Sequence, residues 1–156
     1  MPRFDKDPSR TLGRDRSPKP NRLLARTFCA DRHAPGSARR ALVDLDDKLD
    51  SELVDDVRLL VSELVTNSVR HTGSAKIDLE VWRSEDVLHV DVCDHGDGFD
   101  VSSPPQPGDA SGWGLFMVDR LADRWGIKTN GGTRVWFEML RPGPGTQRRD
   151  LFEPAS

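Results

Sequence analysis

Glu63 and Asn67 stand four residues apart in the run Glu63-Leu-Val-Thr-Asn67-Ser-Val-Arg-His71, so on a helix they share one face. An asparagine oxygen is a hard, neutral ligand, suited to a Mg²⁺ ion that takes its other ligands from phosphates and water. A glutamate beside such an ion can serve as general base on a water or hydroxyl attacking a γ-phosphate. Asp94-His-Gly96-Asp-Gly98 follows an apolar, strand-like run. A carboxylate at a strand end can accept a hydrogen bond from an exocyclic amine such as that of adenine. The glycines let the backbone pass close to a flat base. Gly112-Trp-Gly114-Leu115 opens a helix-like run; glycines admit a phosphate to the backbone, and helix N-termini attract anions. In this order and spacing, the segments specify a site for ATP with a divalent metal.

Each segment alone has a plainer reading. Glu63 and Asn67 could belong to a solvated helix face, and Asp94 to Gly98 could be an ordinary glycine-containing turn. A calcium loop does not fit, because the Asp-x-Asp-x-Asp-Gly spacing with a distal Glu is absent. Gly112-Trp-Gly114 is not a Walker loop, since no Gly-Lys-Ser/Thr follows it. Nor is it the dinucleotide fingerprint, since Val118-Asp119 stand where that pattern must continue. His33, His71, His89 and His95 show no zinc-ligand spacing.

The elements that must position these residues are legible in the hydropathy pattern. The clearest helix spans 53–71. Val54, Val57, Val61, Leu64, Val65 and Ser68 fall on one side of a helical wheel, and Glu63, Thr66, Asn67 and Arg70 on the other. Leu59 and Val69 break the pattern. Upstream, the apolar run 23–30 fits a strand. Pro35, Gly36 and Ser37 offer a helix start, continued at helical spacing by Ala38, Ala41, Leu42 and Leu45. Polar residues at 46–51 read as a loop or a frayed helix end. Thr72-Gly73-Ser74 ends the long helix, and Ile77, Leu79 and Val81 alternate with Asp78 and Glu80 as a half-buried strand. Ser84-Glu85-Asp86 turns the chain into a second strand, 87–93, making an antiparallel hairpin. Pro104, Pro105, Pro107, Gly108 and Ser111 mark an irregular loop. Helical spacing returns over 114–125, and strands at 127–129 and 133–140 are joined by Asn130-Gly131-Gly132. The pattern predicts an α+β fold, a two-layer sandwich with helices on one face of a mostly antiparallel mixed sheet.

Composition narrows the setting. A chain of 156 residues is one domain with its own core. Its formal net charge of −3 gives no overall bias toward nucleic acid or membrane surfaces, so neither is an expected direct partner. Residues 1–22 differ, with seven Lys/Arg against three Asp and four prolines. Such a segment buries too little to offset its ordering entropy and reads as a disordered basic tail; a docking arm is the sharper alternative. From Arg141 the chain again becomes Pro/Gly-rich, so 141–156 reads as a second flexible tail and 23–140 as the folded domain. Cys29 and Cys93 lie in apolar runs; two buried thiols make no disulfide framework and point to a reducing, intracellular setting. No apolar stretch approaches the roughly 18 residues of a membrane span, and the N-terminus has no apolar signal region. The expected location is the cytoplasm.

Taken together, the three segments resemble the N, G1 and G2 boxes of the GHKL (Bergerat-fold) ATPase superfamily, which includes histidine kinases. The wording Glu-Leu-Val-Thr-Asn-Ser-Val-Arg-His-Thr, then Asp-His-Gly-Asp-Gly-Phe, then Gly-Trp-Gly-Leu with the later Gly-Gly-Thr-Arg-Val-Trp-Phe, most resembles one bacterial branch, the anti-sigma-factor serine/threonine kinases. The resemblance covers about residues 23–140. It implies that Asn67 holds Mg²⁺ against the phosphates and that Glu63 is the catalytic base. It implies that Asp94 binds the adenine amino group, that Gly96 and Gly98 shape the base pocket, and that Thr133 supports the adenine through its hydroxyl. Gly112, Gly114 and Leu115 would close the phosphate side, with Arg70 and His71 near phosphate or lid.

The same resemblance implies ATP and Mg²⁺ as cofactors. It implies a sigma factor as one partner and an anti-anti-sigma (STAS-type) protein as the one phosphorylated on serine or threonine. It also implies a homodimer through the sheet near the N-terminal strand. Two departures stand against full catalysis. The lid between Gly98 and Gly112 holds no Lys or Arg to neutralise charge on the γ-phosphate, and Trp113 occupies a position that is smaller or basic in many relatives. A second reading therefore stands beside the kinase: a non-catalytic ATP-binding module that sequesters a sigma factor or other regulator, with nucleotide tuning partner affinity. A detached histidine-kinase ATPase domain is a third.

Overall fold

The computed structural model describes residues 20–71, 73–96, 113–129 and 131–143, and the side chains of all of these except His71 and Trp113. Its elements are β1 (Asn21–Cys29), α1 (Ala34–Val43), α2 (Ser51–His71), β2 (Lys76–Arg83), β3 (Val87–Asp94), α3 (Trp113–Leu121), β4 (Arg124–Thr129) and β5 (Thr133–Leu140). The strands form one sheet in the order β1-β2-β3-β5-β4, with every pairing antiparallel. This is the α+β two-layer sandwich expected from the sequence.

Strict alternation builds the helix-facing side of the sheet. Ile77, Leu79 and Val81 of β2, Leu88, Val90 and Val92 of β3, and Val135, Phe137 and Met139 of β5 are all buried there. Against them α2 buries Leu53, Val57, Leu60, Val61, Leu64 and Val65, a stripe at helical spacing. Leu59 remains exposed, while Val69 packs partly against the core. The helix α1 starts where Asp31 accepts the His33 amide through its carboxylate (2.7 Å) and the Ala34 amide through its carbonyl (3.1 Å). Pro35 then enters the first turn, where no amide hydrogen is required.

Of the boundaries that differ from the sequence reading, the largest shift is at the end of the last helix. The last helix ends at Leu121 instead of continuing to Trp125, which belongs to β4. Trp125 stands at helical spacing from Leu121 and at strand spacing from Ile127, so local periodicity leaves it undecided. Tertiary contacts decide it. The Asp123 amide donates to the Glu138 carbonyl (2.9 Å), Trp125 pairs with Phe137 in register, and the indole nitrogen donates back to Asp119 (2.9 Å). The cysteines also differ from the expectation of buried thiols: both are free, Cys29 is exposed and Cys93 half-buried. Burial pushes the Cys93 thiol pKa up, partly opposed by the charge of Arg134. No described helix is long and apolar enough to cross a membrane.

The sheet face opposite the helices carries a second set of buried groups. Trp136 lies over Gly126, where a Cβ would come within 2.8 Å of the indole nitrogen, and its ring stacks on His89 at a centroid distance of 5.7 Å. The two His89 ring nitrogens meet the carboxylates of Glu138 (3.0 Å) and Asp91 (3.3 Å), and Arg134 also reaches Asp91 (3.3 Å). Burial by itself would lower the His89 pKa; the hydrogen bonds and charges of Asp91 and Glu138 override it and raise the value to about 9. At the end of β5, Arg141 bonds the Asp50 carboxylate (2.8 Å) and the carbonyls of Ser84 (2.7 Å) and Glu85 (3.0 Å). It thereby ties the β2–β3 hairpin to the loop before α2.

Candidate functional site

The site is assembled at the end of the sheet where β3 finishes and β5 begins. Asp94, the last residue of β3, is directly opposite Thr133, the first of β5. Both are at positions whose side chains turn toward the helices, and both are almost completely buried, at 1% and 2% exposure. One Asp94 oxygen, Oδ1, accepts the backbone N–H groups of Gly96 (3.1 Å) and Thr133 (3.3 Å). The other, Oδ2, and the Thr133 hydroxyl are buried with no hydrogen-bond partner among the described residues.

Leaving a buried carboxylate oxygen and a buried hydroxyl unsatisfied is costly, by about 1–3 kcal/mol for each group. A ligand that presents a donor to Oδ2 and a polar edge to the hydroxyl removes that cost. The amino group of adenine, beside a ring nitrogen that accepts, has that chemistry. The donor set therefore fits the base of ATP.

Gly132 makes this arrangement possible. Its φ of 147° lies in the region that side chains disfavour, and a Cβ there would overlap the Asp94 carbonyl oxygen. In the sequence Asn130-Gly131-Gly132 reads as a turn and Gly131-Gly132-Thr133 as part of the family resemblance; the close approach of Gly132 to Asp94 is a tertiary contact that neither reading gives.

The helix α2 supplies the other half. It ends at His71, β2 begins at Lys76, and Ile77 of β2 pairs with Asp94, so the last turns of α2 are held at the same end of the sheet. Ser74 in the connection accepts the His95 amide through its hydroxyl (3.1 Å). Glu63 and Asn67, which the helical wheel sets on the side away from the apolar stripe, are both half-buried.

The first turn of α3 covers them. A Cβ on Gly114 would collide with the Asn67 carboxamide and lie 3.4 Å from the Glu63 carbonyl oxygen. The sequence reading assigned this glycine to phosphate approach; its observed neighbour is the candidate metal ligand. Leu115 turns into the core and Arg70 is exposed on α2. His71 closes α2, but its side chain, together with Gly98, Gly112 and the lid between them, lies outside the described residues.

Among the described residues, no cluster of three or more His, Cys, Asp or Glu could hold a metal. A cation here would take the Asn67 oxygen, complete its shell from phosphates and water, and leave Glu63 beside it. That is the ordinary way in which Mg²⁺ accompanies a nucleotide. A shallow cleft on the opposite sheet face, lined by Thr27, Asp78, Glu80, Asp91, Cys93 and Arg134 among others, contains none of the candidate residues.

Residues 29–139 match the model of the histidine kinase-like ATPase domain. Serine-protein kinase RsbW of Listeria monocytogenes serotype 4a is 33% identical over 88 residues, covering 46% of this chain and 56% of that protein. Serine-protein kinase RsbW of Oceanobacillus iheyensis is 27% identical over 100 residues, covering 54% and 63%. The chain thus spans little more than half the length of these relatives. Among solved structures, the histidine kinase domain of the Erythrobacter litoralis EL346 blue-light activated histidine kinase superposes with a TM-score of 0.50 at 22% identity. It covers 67% of this chain and 58% of that one, and shows the shared fold.

Proposed function

The chain belongs to the histidine kinase-like ATPase domain family, and from that premise we propose that it binds ATP with Mg²⁺ and acts as an anti-sigma-factor kinase. In this reading it phosphorylates a serine or threonine of an anti-anti-sigma, STAS-type protein and holds a sigma factor according to that protein's phosphorylation state. The observation that carries the nucleotide assignment is the pair of buried, unsatisfied polar atoms, Asp94 Oδ2 and Thr133 Oγ1, at one end of the sheet. The similarity to serine-protein kinase RsbW supports the kinase class.

Each residue then has a role. Asp94 and Thr133 receive the adenine edge, and Gly96 and Gly132 shape the backbone around it. Asn67 is the protein ligand of Mg²⁺, which when bound neutralises phosphate charge. Glu63 accepts the proton of the attacking hydroxyl. Gly98 would shape the base pocket with Gly96, and Gly112, Gly114 and Leu115 would close the phosphate side, with Arg70 and His71 near phosphate or lid.

The first experiment is calorimetry of ATP binding, with and without Mg²⁺, on wild type, Asn67→Ala and Asp94→Asn. Wild type should bind, Asn67→Ala should lose the Mg²⁺ dependence, and Asp94→Asn should lose preference for adenine. Absence of binding by wild type at millimolar ATP would refute the reading. Phosphate transfer to a purified partner should be abolished by Glu63→Ala.

The absence of Lys and Arg between Gly98 and Gly112 favours a second reading, a non-catalytic module in which nucleotide only adjusts affinity for a sigma factor or other regulator. Stoichiometric ATP binding without transfer to any partner would select it.

A further inference from the structure

We propose that His95 is a positioning residue of the base site, hooked over the end of the sheet by Asp78 and Ser74 so that the Asp94–Gly96 turn presents its carboxylate to the base. This rests on the nucleotide reading of the site and adds a residue to it.

The geometry begins with the buried carboxylate. The direction of Asp94 Oδ2 is set by the two amides that hold Oδ1, and one of them is the Gly96 N–H. His95 is the single residue between Asp94 and Gly96. Its amide donates to the Ser74 hydroxyl (3.1 Å), and its imidazole Nε2 meets Asp78 Oδ2 (2.9 Å). Asp78 is itself held, because its Oδ1 accepts the Thr27 hydroxyl (2.6 Å). Asp78 pairs in register with Cys93, one residue before Asp94, and its side chain belongs to the opposite face of the sheet. His95 therefore bends around the strand end and anchors the turn from the far side, while Gly132, just before β5, lies close enough that a Cβ there would meet the Asp94 carbonyl and the His95 Cα. The chain of bonds runs from Thr27 of the edge strand through Asp78 and His95 to the turn.

Asp78 is held in its ionised form, and the pair is placed where it matters little for folding. Burial would raise the Asp78 pKa, but the hydrogen bonds of Thr27 and His95 and the charges of His95 and Lys76 bring it below the ordinary carboxylate value. The His95 and Asp78 side chains are 59% and 37% exposed. An exposed pair contributes little to global stability, so its removal should leave the fold intact and appear in ligand binding.

The test is calorimetry with ATP, ADP and GTP, each with Mg²⁺, on full-length wild type, His95→Ala, Asp78→Ala, Asp78→Asn and the double variant His95→Ala/Asp78→Ala. His95→Ala and Asp78→Ala should each weaken ATP and ADP by the same factor, about three- to tenfold, the scale of one hydrogen bond. Both should also narrow the preference for ATP over GTP, which a general loosening of the fold would not do. The double variant should be no worse than the weaker-binding single variant, because the two side chains act as one anchor. Asp78→Asn, which still offers an oxygen to the imidazole, should bind as wild type does. Unchanged affinities and unchanged ATP-to-GTP ratios in both single variants, or losses that multiply in the double variant, would overturn the proposal. Failure of wild type to bind any nucleotide would instead remove the nucleotide reading, and this proposal with it.

Discussion

The stability of this protein should fall steeply between neutral and alkaline pH, and His89 should be the cause. The imidazole is 25% exposed, lies against Trp136 and contacts the carboxylates of Asp91 and Glu138. Its pKa is about 9 in the fold against an ordinary 6.5. Because the folded value is the higher one, the folded state holds a proton that the unfolded state releases between these limits. The stabilisation is therefore complete below pH 6.5, declines through the interval and is gone above about pH 9. At about 1.4 kcal/mol per pH unit over this interval, the upper bound is ~3 kcal/mol. Partial exposure and residual solvation reduce this to ~2 kcal/mol.

The assay is urea unfolding at half-unit pH steps from 6 to 10, on wild type and His89→Gln. Wild type should lose ~2 kcal/mol across the range, and the glutamine variant, with nothing to titrate, should be flatter by that amount. The expected unfolding slope in urea is unchanged, since the same surface is exposed. Parallel curves for the two proteins would refute the argument that this histidine is held protonated between the two carboxylates.

Further predictions concern the glycines and the end of the sheet. Gly114→Ala must displace the Asn67 carboxamide or the start of α3; it should cost ~1–3 kcal/mol in urea unfolding and reduce the enhancement of ATP binding by Mg²⁺, measured by calorimetry. Gly132→Ala combines an unfavourable φ with overlap of the Asp94 carbonyl. It should destabilise by ~1–3 kcal/mol and weaken ATP and ADP alike, because the disturbance is at the base end. Arg141→Ala removes the bonds to Asp50, Ser84 and Glu85, and should destabilise by ~1–3 kcal/mol in urea without altering nucleotide affinity.

Much of this protein is legible in its sequence because its signals are local. The four-residue spacing of Glu63 and Asn67 fixes their shared face once 51–71 is a helix, and the apolar stripe of α2 makes it one. Alternation through 77–81 and 87–93 specifies the β2–β3 hairpin, whose turn chemistry lies between the two runs. Asp94 could be singled out as an acid at a strand end before glycine. What pairs with what across the sheet is not a local property. That β5 inserts between β3 and β4, and so brings Thr133 opposite Asp94, follows from burying the inner faces together. Only then are Oδ2 and the threonine hydroxyl left buried and unsatisfied.

The same holds for residues that one-dimensional spacing could not connect. Asp78 reads as an ordinary polar position in an alternating strand, and His95 as a histidine without a metal partner. The turn around the end of β3 places them 2.9 Å apart. Trp125 satisfies helical and strand periodicity equally, and its pairing with Phe137 settles the choice. Local sequence set the elements and the chemistry each carried, because propensity and periodicity act over a few residues. The tertiary structure decided which of those groups share a site, because sheet order and close approach of backbones depend on burial of the whole core.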